Sequence, residues 1–421
     1  MFDRRRNAVY AVIVLSLLAG LITGRAFFFN VAYAFIGLLV FSFIWAWSGA
    51  NWLRLTRQTR ARRAQVGRYL EERFTVHNTS LIPKLWLEVY DHSSLPGHRA
   101  SHVISNLGPR RKASWLVRTL CIRRGEFVLG PLRLVTGDPF GLFEIERRIN
   151  ATSRLVVYPA TFEIVDFALP VGLLPGGEAI RRRTHYVTTN AAGVREYAPG
   201  DSFNRIHWPS TARKDRLIVK EFELDPLADI WLVMDAEKSV HAGKYTAADR
   251  EAERFPWELE ETDIRLPPTT EEYAVSIAAS LARYFLRKDR SVGFATHGQR
   301  HEVIQVDRGP RQLTKILETL AVIRARGTVP LEHLLTLEGD QMARGTTLVV
   351  ITPSTREGWV TAAHRLRQRG VRVIAVLIDA EGFGGRPGAP RIASRLRMLD
   401  IPTYVVHQGD DPGLALSSTP A

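Results

Sequence analysis

Two apolar runs stand almost end to end at the start of the chain, residues 7–24 and 26–47, with Arg25 the single charge between them. At a rise of about 1.5 Å per helical residue they reach about 27 and 33 Å, enough to cross a hydrocarbon core of about 30 Å. A link this short turns the two helices back on each other as a hairpin. Arg4, Arg5 and Arg6 precede the pair, and six arginines occupy 54–68. Basic flanks stay on the cytoplasmic side, so both ends of the hairpin are expected there, with only the Gly24-Arg25 turn outside. Trp45, Trp47 and Trp52 fall where an aromatic belt would lie. A cleaved signal peptide would also begin with a basic patch and an apolar run. Here a second, longer run follows at once, with no clear small-residue cleavage site. The expected location is the cell (inner, cytoplasmic) membrane, with two transmembrane helices and the soluble domains in the cytoplasm. The sequons at Asn78 and Asn150 would then never meet the glycosylation machinery.

The hairpin also accounts for most of the charge. The chain carries +14, but residues 1–70 hold ten arginines against the lone acid Asp3, so only +5 remains for the other 351 residues. Basicity gathered at a membrane boundary argues against a nucleic-acid groove. A length of 421 residues allows two or three domains, and 45% hydrophobic content suits a folded chain. The one cysteine, Cys121, excludes an internal disulfide framework and fits a reducing compartment.

Between about 66 and 165 the hydrophobic period changes to two. Leu85, Leu87 and Val89 alternate with Trp86, Glu88 and Tyr90, and Trp115, Val117 and Thr119 with Leu116 and Arg118. Turn signals recur at Asn78-Thr79-Ser80, Pro96-Gly97, Gly108-Pro109, Gly130-Pro131 and Gly137-Asp138-Pro139, which predicts an antiparallel sandwich-like module. Arg110, Arg111, Lys112, Arg118, Arg123 and Arg124 could form a nucleic-acid patch. Solvated outer strand faces explain them equally well, and a surface near anionic lipid better.

The densest run of specific residues is 193–223, the core of a connector expected over 166–225. Ala198-Pro199-Gly200-Asp201 is a turn signal, since proline presets φ and glycine supplies the positive φ. Asp201 is placed to cap a short helix with Phe203, Ile206 and His207 on one face, a helix whose run Pro209 would limit. A polar turn at Arg213-Lys214-Asp215 leads into a strand over 216–222. The stretch REYAPGDSFNRIHW, followed by AR and RLIVKEFE, resembles the signature of the domain-of-unknown-function family 58. RRGEFVLGPLRLVTGDPFGLF, ahead of it, is similar to the same family's pattern. Members are bacterial and archaeal membrane proteins whose signature leads into a von Willebrand factor type A-like domain. The resemblance runs from the apolar segments to about residue 408. It makes Arg195, Glu196, Tyr197, Gly200, Asp201, Arg205, Trp208 and Arg213 the candidate site, as a domain brace or a docking face. The brace is favoured because paired charges beside a strand commonly satisfy each other.

Residues 226–408 alternate strands with helical patterns, which predicts a doubly wound parallel sheet, with 409–421 as a flexible tail. Strands are expected over 229–235, 291–296, 301–306, 346–352, 371–378 and 403–406. Capping boxes at Thr269/Glu272 and Ser354/Glu357 would start two of the helices. Ligands of such sheets bind beyond the carboxyl ends of strands, so the loop after Asp235 is the first place to look. The resemblance implies a divalent ion held there by an Asp-x-Ser-x-Ser loop, with oxygen ligands suited to Mg²⁺. This chain has Asp235-Ala236-Glu237-Lys238-Ser239. Asp235 and Ser239 match, Glu237 replaces the first serine, Lys238 adds a competing cation, and the later aspartate is missing near Thr352-Pro353. The set reads as an eroded site, so no cofactor is expected, Mg²⁺ being the ion it would otherwise take. His297 and His301 flank a turn between strands and make a poor zinc pair.

The fold class expected is therefore multidomain α and β. A transmembrane hairpin (1–65) carries a β-module (66–165), the connector and a von Willebrand type A-like domain. With no catalytic constellation, the chain reads as no enzyme but as a membrane-anchored adaptor. The resemblance implies work alongside a MoxR-type AAA+ ATPase in assembly or maturation of protein complexes. The first alternative is a metal-dependent hydrolase or nuclease using Asp235, Glu237 and Asp201. The second is nucleic-acid binding on a continuous basic face over 110–124 and 181–183.

Overall fold

The structure, a computed structural model, describes residues 2–168, 191–197, 206–222, 229–244 and 266–420. Two helices open it, α1 (Phe2–Thr23) and α2 (Ala26–Ala50), turning at Gly24, whose φ of +66° costs a residue without Cβ nothing. Both are long and apolar enough to cross a membrane, over Arg4–Thr23 and Ala26–Ala50.

The sheets begin at β1 (Leu53–Thr59), inside the arginine-rich flank and not at residue 66. Leu53 and Leu55 face inward while Arg54 faces out, so alternation makes the flank a strand despite its charge. Nine further strands complete the module: β2 (Arg63–Gln65), β3 (Tyr69–Asn78), β4 (Lys84–Asp91), β5 (His102–Leu107), β6 (Lys112–Leu120), β7 (Gly125–Leu129), β8 (Leu132–Gly137), β9 (Glu144–Ile149) and β10 (Ser153–Tyr158). Antiparallel sheets β1-β3-β6 and β5-β4-β8-β9 face each other over a core that includes Phe74, Val76, Leu87, Val89, Leu132 and Leu134. The third sheet, β2-β10-β7, departs from the antiparallel pattern because β2 pairs parallel with β10. No hairpin links those two strands, so no turn dictates their direction.

The connector contributes β11 (Ala191–Glu196) and β12 (Ile218–Phe222), an antiparallel pair in a sheet of its own, and α3 (Trp208–Lys214) between them. Here local expectations need correcting. Pro209 opens α3 and does not limit a preceding helix, because proline at the first turn lacks only an N–H that would be orphaned anyway. Arg213 and Lys214 belong to the helix, and the turn reduces to Asp215, whose φ is +49°. Ile206 is bridged to Val219 instead of lying on a helical face.

The last unit holds β13 (Ile230–Met234), α4 (Thr270–Arg287), β14 (Val292–His297), β15 (His301–Asp307), α5 (Gly309–Val322), α6 (Leu331–Gly339), β16 (Thr347–Thr352), α7 (Gly358–Gln368), β17 (Arg372–Ile378), α8 (Ala389–Met398), β18 (Thr403–Val406) and α9 (Pro412–Ser417). Its six strands run in the order β15-β14-β13-β16-β17-β18. Five are parallel, but β15 is antiparallel to β14, a correction to the all-parallel expectation. The short turn after His297 leaves no room for a crossover helix, and only an antiparallel partner can be reached that way. Residues alternating along β13 feed two cores: Ile230, Leu232 and Met234 pack with α4, while Trp231 and Val233 pack with the side carrying Leu334, Trp359 and Ile392. The stretch 409–421, expected as a tail, instead carries α9, with Leu416 fully buried in the first of those cores.

Two of the expected helix starts differ in detail. Thr269 caps α4 by accepting the N–H of Glu272 at 3.2 Å, but the Glu272 carboxylate turns away to Arg124. α7 begins at Gly358 with no side-chain cap, because Ser354 is engaged in the preceding loop.

Candidate functional site

The order of the sheet reverses between β13 and β16, and the loops leaving their carboxyl ends meet there. Asp235 is fully enclosed. Its Oδ1 accepts the Glu237 N–H at 3.0 Å and its Oδ2 accepts the Thr352 hydroxyl at 2.7 Å. Burial pushes the Asp235 carboxyl above the ordinary carboxylate range, only partly countered by nearby His241 and by these bonds. His241 braces the loop from behind, its Nε2 donating to the Asp235 carbonyl at 3.0 Å and its Nδ1 lying 3.0 Å from the Thr270 hydroxyl.

Glu237 stands just above, and its partner is Arg356 on the loop after β16. Arg356 Nη1 reaches both carboxylate oxygens, at 2.9 and 2.8 Å, and Nη2 donates to the Ser239 hydroxyl at 2.8 Å. Ser239 in turn donates to Glu237. Glu237 and Ser239 are thus brought together around a guanidinium, while the third candidate ligand, Asp235, is held by Thr352 and the Glu237 N–H. Both Asp235 oxygens and both Glu237 oxygens are engaged within the chain. A divalent cation bridging these groups would have to displace Arg356, so the donor set does not fit a resident ion.

Gly327 holds the loop from the opposite side. Its N–H donates to the Ala236 carbonyl and its carbonyl accepts the Lys238 N–H, each at 2.9 Å. A Cβ at that position would lie 2.0 Å from the His297 carbonyl oxygen, so only glycine admits this approach.

Beside this crevice a cleft of about 470 Å³ opens towards the β-module, with Lys238, Arg123 and Arg326 among its lining. Arg124 forms its floor. Its side chain is fully buried, with Nε bonded to Glu272 at 2.9 Å, Nη2 to Glu271 at 2.6 Å, and Nη1 to the Leu320 and Ile323 carbonyls at 2.8 Å each. The guanidinium therefore ties the β-module to α4 and α5. It is also removed from the basic surface patch expected over 110–124, while 181–183 lies outside the described residues. Residues 161–168 extend the junction. The N–H groups of Phe162, Phe167 and Ala168 donate to the hydroxyls of Ser280, Tyr284 and Tyr404, at 2.9, 3.0 and 3.0 Å.

Of the connector candidates, Gly200, Asp201 and Arg205 lie outside the described residues, and Arg195 is described only as backbone paired with Val219. Glu196 pairs with Arg216 on an open face, and Tyr197 donates its N–H to the Leu217 carbonyl at 2.9 Å. Trp208 is 65% exposed, and Arg213, further along α3, is exposed as well. The His297 and His301 rings stack at 5.6 Å, and His301 bonds Glu338 at 3.1 Å. Sequence reading missed Arg356, and it placed Arg124 only in the basic surface cluster, not at a buried junction. The first had a signal, since it follows the strand on the other side of the reversal point. The second had none, because its partners lie about 150 to 200 residues away.

A family model described as "Protein of unknown function DUF58" matches residues 193–254. The signature is that of DUF58. An uncharacterized protein of Bacillus subtilis (strain 168), YeaD, is 23% identical over 391 residues, spanning 88% of this chain and 89% of its own. The similarity to YeaD thus extends far beyond the DUF58 segment. Among solved structures, the CARDB domain of the PF1109 protein from Pyrococcus furiosus covers 25% of this chain and 91% of its own, with a TM-score of 0.20 at 15% identity. The pilus adhesin SpaC from Lactobacillus rhamnosus GG covers 45% of this chain and 28% of its own, with a TM-score of 0.30 at 10% identity. Likeness at that level says nothing about what this chain does.

Proposed function

We propose that this protein is a membrane-anchored adaptor facing the cytoplasm, in which a von Willebrand type A-like domain and the DUF58 connector hold other proteins. The observation that carries the reading is the clasp of Arg356 on Glu237 and Ser239. It places a cation where the alternative enzyme would need free carboxylates, and so favours a binding face over a metal-dependent hydrolase. The strand order, with the reversal at β13/β16 and an antiparallel edge, supports the type A-like assignment. Arginine on both flanks of the hairpin supports the cytoplasmic orientation. Exposed Trp208, of a residue type enriched at binding hot spots, supports docking through the connector. The partner that the family resemblance implies is a MoxR-type AAA+ ATPase, engaged in assembly or maturation of other complexes.

The test is affinity capture from detergent-solubilised membranes with the intact protein, Trp208→Ala and Arg356→Ala, each checked for folding by circular dichroism. Recovery of the ATPase by the intact protein and its loss with folded Trp208→Ala supports docking through α3. Magnesium-dependent hydrolysis of a nucleic acid or phosphoester by the purified protein, abolished in Asp235→Asn, would replace the adaptor by the enzyme.

A further inference from the structure

α2 spans 25 residues, or about 37 Å at the helical rise, about 7 Å more than a hydrocarbon core needs. Its last turns are covered by the β-module. Gly49 lies against Thr136, where a Cβ would come within 3.1 Å of that side chain, and Lys84 donates to the Ser48 carbonyl. One turn of the module reaches further down the helix, the link 138–143 between β8 and β9. Phe140 meets Phe41 edge-on at 6.4 Å and Phe143 meets Phe43 at 5.6 Å. Arg6 of α1 sits over the Phe143 ring at 5.8 Å, which marks this level as the place where charge gives way to apolar helix. From Ala26 to Phe43 the helix rises about 26 Å, close to a full hydrocarbon thickness.

The turn is also built for a dry setting. Asp138 is buried and its carboxylate accepts the N–H groups of Phe140, Leu142 and Phe143, at 2.9, 2.8 and 2.6 Å. The Asp138 and Gly141 N–H groups are bonded to the Phe143 and Asp138 carbonyls, and Pro139 has none to offer. Every backbone donor in the turn is therefore satisfied without water, which irregular backbone at membrane depth requires. Phe140 nevertheless stays 50% exposed at the tip.

We propose that turn 138–143 seats in the bilayer at the headgroup–acyl boundary beside α2, with Phe140 inserted, and that the membrane is what covers this face. The turn thereby fixes how the β-module stands on the lipid surface, so that the cytoplasmic units are not free to swivel on the hairpin. The inference rests on the membrane-spanning reading of α1 and α2.

Nitroxide labels on the full chain in phosphatidylglycerol-containing nanodiscs test it, placed singly at Phe140→Cys, with Ile36→Cys on α2 and Met398→Cys on α8 as references. Native Cys121 is fully buried and stays silent. A further label at Pro139→Cys keeps the Phe140 side chain in place. The proposal expects labels at 139 and 140 to be more accessible to oxygen than to a nickel chelate by several-fold, as at 36, with the reverse at 398. If 36 is lipid-like but 139 and 140 behave as 398 does, the turn proposal falls and the hairpin stands. If 36 also prefers the nickel chelate, the spanning reading fails and the turn proposal with it.

Discussion

Arg356 places one guanidinium nitrogen within 2.9 Å of both carboxylate oxygens of Glu237, across the crevice between β13 and β16. The pair is half-buried and lies between the surface and buried cases, so Arg356→Ala should cost about 1–3 kcal/mol of stability. Millimolar Mg²⁺ should leave the melting temperature of the intact protein unchanged. In Arg356→Ala, where Glu237 and Ser239 are released from the guanidinium, Mg²⁺ should recover part of the loss. Thermal melts with and without Mg²⁺ read both effects.

Arg124 should be the costliest single residue at the junction. Arg124→Leu leaves two carboxylates and two carbonyl oxygens facing an apolar side chain, a loss of about 3–5 kcal/mol. Limited proteolysis should then cut within 159–168, where the intact protein is protected. Arg123→Leu, one residue away on the exposed surface, should change neither stability nor cleavage beyond about 0.5 kcal/mol.

Acid should loosen the chain at two named places. Burial alone would raise Asp91, but the hydrogen bond from His98 and the charge of Arg57 outweigh it and hold the carboxyl below the usual range. Burial likewise opposes the Arg124 and Arg324 charges at Glu271, and again the net direction is down. A carboxyl with a lowered folded pKa contributes stability above its unfolded pKa, and that stability is lost as pH falls through the folded value. Denaturant midpoints should therefore fall below about pH 4, and Asp91→Asn should flatten that limb. Asp235 has the opposite sign. Its raised carboxyl penalises the folded state at neutral pH, so Asp235→Asn should steepen the acid loss slightly.

Burial pushes the Cys121 thiol up to about 12 and leaves it 0% exposed. A maleimide should fail to label the native protein near pH 7 and should label it stoichiometrically in denaturant, as mass spectrometry would show.

How much of this was legible in the sequence depended on range. The hairpin followed from a run of apolar residues broken by one charge, and the six strands of the last unit from short apolar stretches between helical patterns. Both are local signals. Pro209 misled because a proline can end one helix or open the next, and only the register of the following turn decides. Ser354 misled similarly, since its capping-box spacing was real but β16 drew the residue into the crevice. Glu237 was identified as a possible metal ligand, yet its partner sits about 120 residues away, where no spacing rule reaches. The Asp138 turn was visible as Gly-Asp-Pro, but its nearness to Phe41 and Phe43 needed the packed fold.

The central claim is tested most directly by measuring binding between the detergent-solubilised full chain and a purified MoxR-type ATPase from the same organism, with ATP present. The adaptor account predicts saturable binding, weakened at least tenfold, about 1.4 kcal/mol, by Trp208→Ala with its circular dichroism unchanged. No saturable binding by the folded intact protein, with or without ATP, would contradict it.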